Sequence, residues 1–183
     1  MARILLRLGL LAILVSACGG AVGPGARPGD PVSAAGERDG VRVTLSISQR
    51  TYAPGEIVWA DVKIENTTEA PVSWLGGGCN FPARVSAKLL ASAAVSEIPF
   101  VPDSAWQSYA SGRGGPICTM EIRENKLASH QTLSLRAGWD GHVSYGGSRA
   151  PAGDAEVSAL FPMGTLMTSD PVVARATITL TDH

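Results

Sequence analysis

Residues 41–66 read VRVTLSISQRTYAPGEIVWADVKIEN, and this stretch decides the fold class. Its apolar residues at positions 41, 43, 45 and 47 alternate with polar ones, and the same period of two returns over residues 57–66. A period of two predicts β-strands with one apolar and one polar face. Between the two strands stands Pro54-Gly55, a dipeptide typical of turns. The folded part of the chain is therefore predicted to begin with two strands joined through a turn.

Short alternating runs continue along the chain, and no stretch keeps a helical period together with capping residues. The best helical candidate, residues 87–95, is interrupted by Ser92 and runs into Pro99. Short strands separated by turn signals favour an all-β antiparallel sandwich, here of about seven to eight strands over residues 41–183. The further predicted strands are residues 71–75, 83–90, 118–123, 132–138, 154–161 and 172–181.

The first 17 residues have the organisation of a secretory signal peptide, with two arginines followed by an apolar run over residues 8–15. The run is shorter than the ~20 residues that a membrane-spanning helix needs. Val15-Ser16-Ala17-Cys18 resembles the lipobox of bacterial lipoproteins, which implies cleavage before Cys18 and diacylation of its sulfur. The alternatives are an ordinary signal peptide with an incidental cysteine, or an N-terminal membrane anchor. We predict a protein of the bacterial cell envelope, held on a membrane by lipid and facing its extracytoplasmic side.

Residues 18–40 are predicted to be the lipidated cysteine and a flexible linker. The segment is dense in Gly, Pro, Ala and Ser, and it shows neither a strand period nor a helix period. The predicted organisation is thus a signal peptide over residues 1–17, a linker over 18–40 and a sandwich domain over 41–183.

The charge balance and the motifs that are missing from the sequence exclude several classes of protein. Fifteen basic and 16 acidic residues give a formal net charge of -1, which argues against a nucleic-acid partner. The sequence contains no nucleophile elbow, no phosphate-binding loop and no closely spaced zinc-ligand motif. We predict neither a catalytic residue nor a cofactor.

Turn motifs recur at both ends of the predicted sandwich. At the amino end they are residues 52–56 (YAPGE) and 65–72 (ENTTEAPV), and at the carboxyl end residues 133–141 (LSLRAGWDG) and 150–153 (APAG). They resemble immunoglobulin-like domains of bacterial envelope proteins, and also the domain named after the intracellular proteinase inhibitor of bacilli. The chain departs from that family where Asp154-Ala155 follows the last turn, because an aromatic residue is usual there. The resemblance implies an immunoglobulin-like sandwich and, as an alternative function, protease inhibition.

Two cysteines remain if Cys18 carries the lipid. Cys79 and Cys118 are an even pair in an exported domain, which predicts a disulfide. The bridge would close a loop of about 40 residues and stabilise the fold by roughly 4 kcal/mol. Two free thiols or a metal pair are the alternatives, although the two residues are too far apart for a CxxC motif.

The candidate binding residues lie on two predicted loops, residues 99–116 and 139–149. Aromatic residues on loops can stack against sugars or anchor a protein partner. The alternative is that the aromatic residues of the first loop fold back onto the domain. Trp59, on the polar face of its strand, requires a covering loop or a second partly buried face. The candidates are Trp106, Tyr109, Arg113, Trp139, His142 and Tyr145.

Three functions compete at this stage. The first is a non-catalytic binding module for an envelope protein or glycan, which uses the two loops. The second is a protease inhibitor that presents Arg113, although the neighbouring glycines work against a preorganised loop. The third is a metal-binding or hydrolytic protein that uses His130, Asp140 and His142, against the simpler interpretation of Asp140-Gly141 as a polar turn. We take the first as the prediction.

Overall fold

The computed structural model describes residues 29–76, 81–92, 97–113, 123–163 and 170–182. Within these ranges the chain consists mainly of strands and turns, with one eight-residue helix, α1 (Asp103–Ala110). The strands are β1 (Val32–Arg38), β2 (Val41–Ile47), β3 (Thr51–Tyr52), β4 (Val58–Asn66), β5 (Val72–Gly76), β6 (Arg84–Leu89), β7 (Ile98–Pro99), β8 (Val101–Pro102), β9 (Arg123–Leu127), β10 (Thr132–Trp139), β11 (Gly153–Phe161) and β12 (Val172–Leu180).

Two five-stranded sheets pack face to face. One has the order β1-β2-β4-β10-β8 and the other β3-β12-β11-β6-β7, while β5 and β9 form a separate two-stranded ribbon. Neighbouring strands are antiparallel, except that β3 runs parallel to β12. With β2, β4 and β10 in one sheet and β6, β11 and β12 in the other, the strands are distributed as in an immunoglobulin-like sandwich. The predicted all-β antiparallel class is confirmed.

The core lies between the sheets and follows the period of two. Every second side chain of β4 is buried from Val58 onward, and the same holds for β2 from Val41. Leu45 and Ile64 are fully buried, and each such side chain contributes roughly 1.5–3 kcal/mol. On the opposite sheet many inward positions of β6, β11 and β12 are alanines, which lets the two sheets approach closely.

The prediction of a linker through residue 40 is wrong for residues 32–38, which form β1. β1 pairs with the whole of β2 across a two-residue connection, Asp39-Gly40. Both of these residues have positive φ, at 47° and 75°, as a type I′ hairpin turn requires. The small side chains of β1 hide its alternation, although Val32 is buried and Ala34 packs against the core.

The predicted loop over residues 99–116 is also partly wrong, because its middle forms α1. The strand predicted over residues 83–90 is confirmed as β6, and the rejected helical candidate at residues 87–95 begins inside this strand. The strand predicted over residues 118–123 falls almost wholly outside the described residues, and the structure has β9 immediately after it.

The lipidation and disulfide predictions cannot be placed in this fold. Cys18, Cys79 and Cys118, and the whole predicted signal peptide, lie outside the described residues. In the part of the chain that is described, no helix is long and apolar enough to cross a membrane.

Candidate functional site

The candidate site lies where β10 ends, beside α1 and the β10–β11 loop. We call this the loop end of the sandwich; it contains Trp139, the start of β11 and the end of β12. Gly138 makes the site possible, because a Cβ atom there would lie 2.9 Å from the Cζ3 atoms of both Trp106 and Trp59. Without that side chain, Trp106 of α1 packs directly over the strand. This explains why the indole of Trp59 stands on the otherwise polar face of β4.

Four aromatic side chains form a continuous row across this surface, which we call the aromatic row: Trp59, Trp106, Tyr109 and Tyr145. The ring centroids are 4.9 Å apart for the first pair, 5.4 Å for the second and 5.2 Å for the third. The rings are tilted or edge-on to one another, a favoured arrangement for aromatic pairs. Arg136 extends the row, with its guanidinium carbon 4.8 Å from the centre of the Trp59 ring.

Asp140 ties the helix to the β10–β11 loop. The Tyr109 hydroxyl donates a hydrogen bond of 3.0 Å to Asp140 Oδ2, and the backbone N–H of His142 donates one of 3.2 Å to Oδ1. Burial and this hydrogen bond to Asp140 raise the pKa of Tyr109 to about 12, so the phenol keeps its proton at neutral pH. His142 Nδ1 lies 3.1 Å from Asp140 Oδ2, but the two atoms are not aligned as a hydrogen bond.

Hydrogen bonds and aromatic packing fix the conformation of the β10–β11 loop. The indole N–H of buried Trp139 donates a 2.8 Å hydrogen bond to the carbonyl of His142, and the ring packs 5.9 Å from that of Phe100. Within the loop the backbone N–H of Val143 donates to Ser148 and that of Ala150 donates to Gly141. The loop therefore presents Tyr145, which is 52% exposed, from a defined conformation.

A cavity of about 770 Å³ opens beside this site, between the two sheets. On one side of the sandwich β1 lies against β12, and Gly36 has no side chain to hold them apart. On the other side the two-residue strands β7 and β8 are the outermost strands, and the sheets part around the cavity. Its walls are mainly apolar side chains from both sheets, among them Val85, Leu135 and Trp139.

The structure brings five of the six predicted binding residues together. Trp106, Tyr109 and Tyr145 belong to the aromatic row, and Trp139 and His142 support the loop beside it. Arg113 is exposed beyond the end of α1, where its backbone N–H donates to Ser108. Trp106 and Tyr109 fold back only in part, since each is half-buried.

The sequence did not identify Arg136 and Gly138 as part of the site. Arg136 completes the aromatic row, and Gly138 lets α1 lie against β10. A glycine inside an alternating strand is a signal for close approach by another segment, so Gly138 could have been found. The cavity had no comparable signal, because its walls come from segments far apart in sequence.

The alternative ligand set of His130, Asp140 and His142 is contradicted. His130 precedes β10, whereas Asp140 follows it, and an extended strand of that length separates them by about 30 Å. His130 Nε2 instead lies 3.0 Å from Glu69 Oε1 at the far end of the sandwich. Among the described residues no group of three His, Cys, Asp or Glu side chains could hold a metal ion.

No family model matches the chain, and no curated protein matches it. Among solved structures it is similar to a β-glucosidase mutant from Listeria innocua in complex with laminaribiose, with 11% identity and a TM-score of 0.43. That match covers 78% of this chain and 16% of the glucosidase, so the chain spans less than a fifth of that protein. It is also similar to the C-terminal domain of wzt, with 10% identity, a TM-score of 0.43, and coverage of 87% of this chain and 83% of that one.

Proposed function

We propose that this chain is a non-catalytic recognition module of the bacterial cell envelope, held on a membrane through lipid on Cys18. It binds an envelope protein or glycan through the aromatic row. The observation that carries this proposal is the packing of Trp106, Tyr109 and Tyr145 into one continuous, partly exposed surface. Aromatic side chains that keep an exposed edge are the commonest anchors of protein interfaces and stack readily on sugar rings.

The preorganisation of this surface supports binding. Tyr109 is fixed to Asp140, and the β10–β11 loop is fixed through Trp139 and its internal hydrogen bonds. A surface that is ordered before contact loses less conformational freedom when a partner binds. Loops carried on a rigid sandwich are the usual place for recognition in such folds.

Tyr109 supports the surface as a neutral hydrogen-bond donor. Burial and the hydrogen bond to Asp140 raise its pKa to about 12, so the hydroxyl keeps the proton that it donates to Asp140. Asp140 accepts hydrogen bonds from Tyr109 and from the backbone of His142, so its carboxylate is engaged in holding the loop. These groups orient the surface.

A lipid anchor would hold the loop end close to the bilayer. β1 begins at Val32, which pairs with Ile47 at the same end of the sandwich as Trp139. Thirteen residues separate Cys18 from Val32. Even when fully extended, a chain of that length spans at most about 45 Å. The partner is therefore expected near the membrane surface.

Photo-crosslinking in membranes of the source organism tests this function. The full-length lipidated protein is compared with the double variant Trp106→Ala/Tyr109→Ala, and crosslinked species are identified by mass spectrometry. We expect a saturable partner that the double variant loses by more than about tenfold, because two aromatic anchors are removed. Leu90→Ala is the matched control, since it also removes a large exposed apolar side chain, from the end of β6. Equal crosslinking by wild type and double variant would refute a role of the aromatic row.

A further inference from the structure

The cavity between the sheets has the size and chemistry of a ligand site. Its volume of about 770 Å³ lies within the range of roughly 300–1,000 Å³ that small-molecule sites occupy. Val85 and Ile98 come from one sheet, Leu135 from the other, and Phe100 from the segment that connects β7 to β8. Such walls favour a ligand whose body is hydrocarbon.

Among the described residues that line the cavity, most of the polar side chains lie at the loop end. Tyr109, His142 and Ser144 lie at that end. The Tyr109 hydroxyl donates a hydrogen bond to Asp140. His142 Nδ1 lies 3.1 Å from Asp140 Oδ2, so the imidazole ring sits beside Asp140 at this end of the cavity. Arg84, at the other end, forms an ion pair with Glu97. The cavity thus has polar groups at the loop end, the paired Arg84 at the other end, and apolar walls between them.

This distribution disfavours a sugar and a peptide strand. A sugar ring buried here would leave most of its hydroxyl groups without partners, which is costly. A peptide adds to a sandwich by pairing with an edge strand, but β7 contains Pro99 and β8 contains Pro102. Proline has no N–H to donate, so neither two-residue edge can serve as a template for an added strand.

The chain enters the sandwich at the start of β1, and the position of this point indicates where the ligand comes from. Through the anchor that we propose above, the loop end lies within about 45 Å of a bilayer. The polar end of the cavity is at that same end of the sandwich. Envelope amphiphiles with acyl chains are the apolar molecules available at such a surface.

We infer that the cavity binds the acyl chain of an amphiphile, with the hydrocarbon between the sheets and the polar head beside Tyr109 and His142. The choice of ligand rests on the proposed function, because the anchor sets which molecules the cavity meets. The cavity and its lining do not depend on the anchor, so binding is measurable without a membrane.

The test uses the full-length protein held in an amphipathic polymer, which supplies no free hydrocarbon chain, with polymer alone as the blank. cis-Parinaric acid is titrated in, and its fluorescence is excited directly. A phospholipid that carries one parinaroyl chain is the second probe. Saturable binding of the free acid alone identifies a single-chain amphiphile, and binding of both probes identifies a chain taken from a bilayer lipid. Either result supports acyl-chain binding.

Leu135→Trp and Leu133→Trp form a matched pair for locating the site. Both leucines are half-buried on the same face of β10, but only Leu135 lines the cavity. We expect Leu135→Trp to weaken binding about fifteenfold, because the indole displaces about two methylene groups and each is worth about fourfold in affinity. Leu133→Trp should bind as wild type does. Leu160→Trp, which fills the cavity from β11, replaces Leu135→Trp if that variant does not unfold cooperatively.

Three outcomes would overturn the inference. They are no saturable binding of either probe, equal loss in both members of the matched pair, and a wild-type dimer that Leu135→Trp converts to monomer. The last would show that a second copy of the chain covers the cavity. The photo-crosslinking experiment is independent of all three, so a partner lost only in Trp106→Ala/Tyr109→Ala would leave the proposed function standing.

Discussion

Replacing Gly36 with alanine should push β1 and β12 apart on the side of the sandwich where these two strands lie against each other. A Cβ atom at this position would lie 2.1 Å from the carbonyl oxygen of Val173 and 2.8 Å from its carbonyl carbon. Carbon and oxygen atoms in close contact stay about 3.3 Å apart, so one of the two backbones must move by about 1 Å. Overpacking of this kind costs roughly 1–3 kcal/mol. Alanine also lowers the conformational entropy of the unfolded chain, which stabilises the folded protein by about 0.5 kcal/mol.

The expected net loss for Gly36→Ala is about 1.5 kcal/mol, or a fall in Tm of about 5 °C for a domain of this size. Thermal unfolding followed by circular dichroism measures it. Gly29→Ala is the control, because a Cβ there meets nothing within 4 Å. The control should melt within about 1 °C of wild type, since open surface positions change stability little. If both variants melt together, β1 does not lie against β12 as described.

Two further predictions concern the site. Gly138→Ala should displace Trp106 and Trp59, lower stability by about 2 kcal/mol and change the intrinsic tryptophan fluorescence. An unchanged emission spectrum would contradict the close packing. Tyr109→Phe should remove the hydrogen bond to Asp140 and cost about 1 kcal/mol at neutral pH. The pKa of the Tyr109 phenol is about 12 in the folded protein against an ordinary value of 10.0, so wild type, unlike Tyr109→Phe, loses this stabilisation as pH rises from 10 to 12. If the Tm values of wild type and Tyr109→Phe change in parallel between pH 10 and 12, the hydrogen bond is not the source of the stabilisation.

Strands with strong alternation could be predicted from the sequence, and weakly alternating ones could not. β2 has a large aliphatic residue at every second position and β4 has an apolar one from Val58 to Ile64, and their predicted bounds agree with the structure to within a residue. β1 has only Val32 as a large inward residue, so its hydrophobic pattern is too weak to stand out. The better signal was Asp39-Gly40, a dipeptide typical of two-residue hairpins, directly before the first strong strand.

The helix and the cavity depend on contacts that a sequence pattern does not encode. α1 is only eight residues long, has no side-chain N-cap and contains no fully buried residue. It is stabilised by Trp106 lying over Gly138, which is a tertiary contact. The aromatic residues of the site could be named from their loop positions, but their order in the row follows from that packing. His130 and His142 are close in sequence, and an intervening strand places them at opposite ends.

The position of β12 has a consequence for when the domain can fold. β12 follows every other described strand in sequence, yet it lies inside its sheet between β3 and β11 and also packs on β1. In β3, Thr51 and Tyr52 pair with Thr179 and Leu180 of β12. Pairings this distant in sequence are slow to form, because a large loop must close first. A chain that becomes available amino end first therefore stays without its complete native core until residue 180 is available.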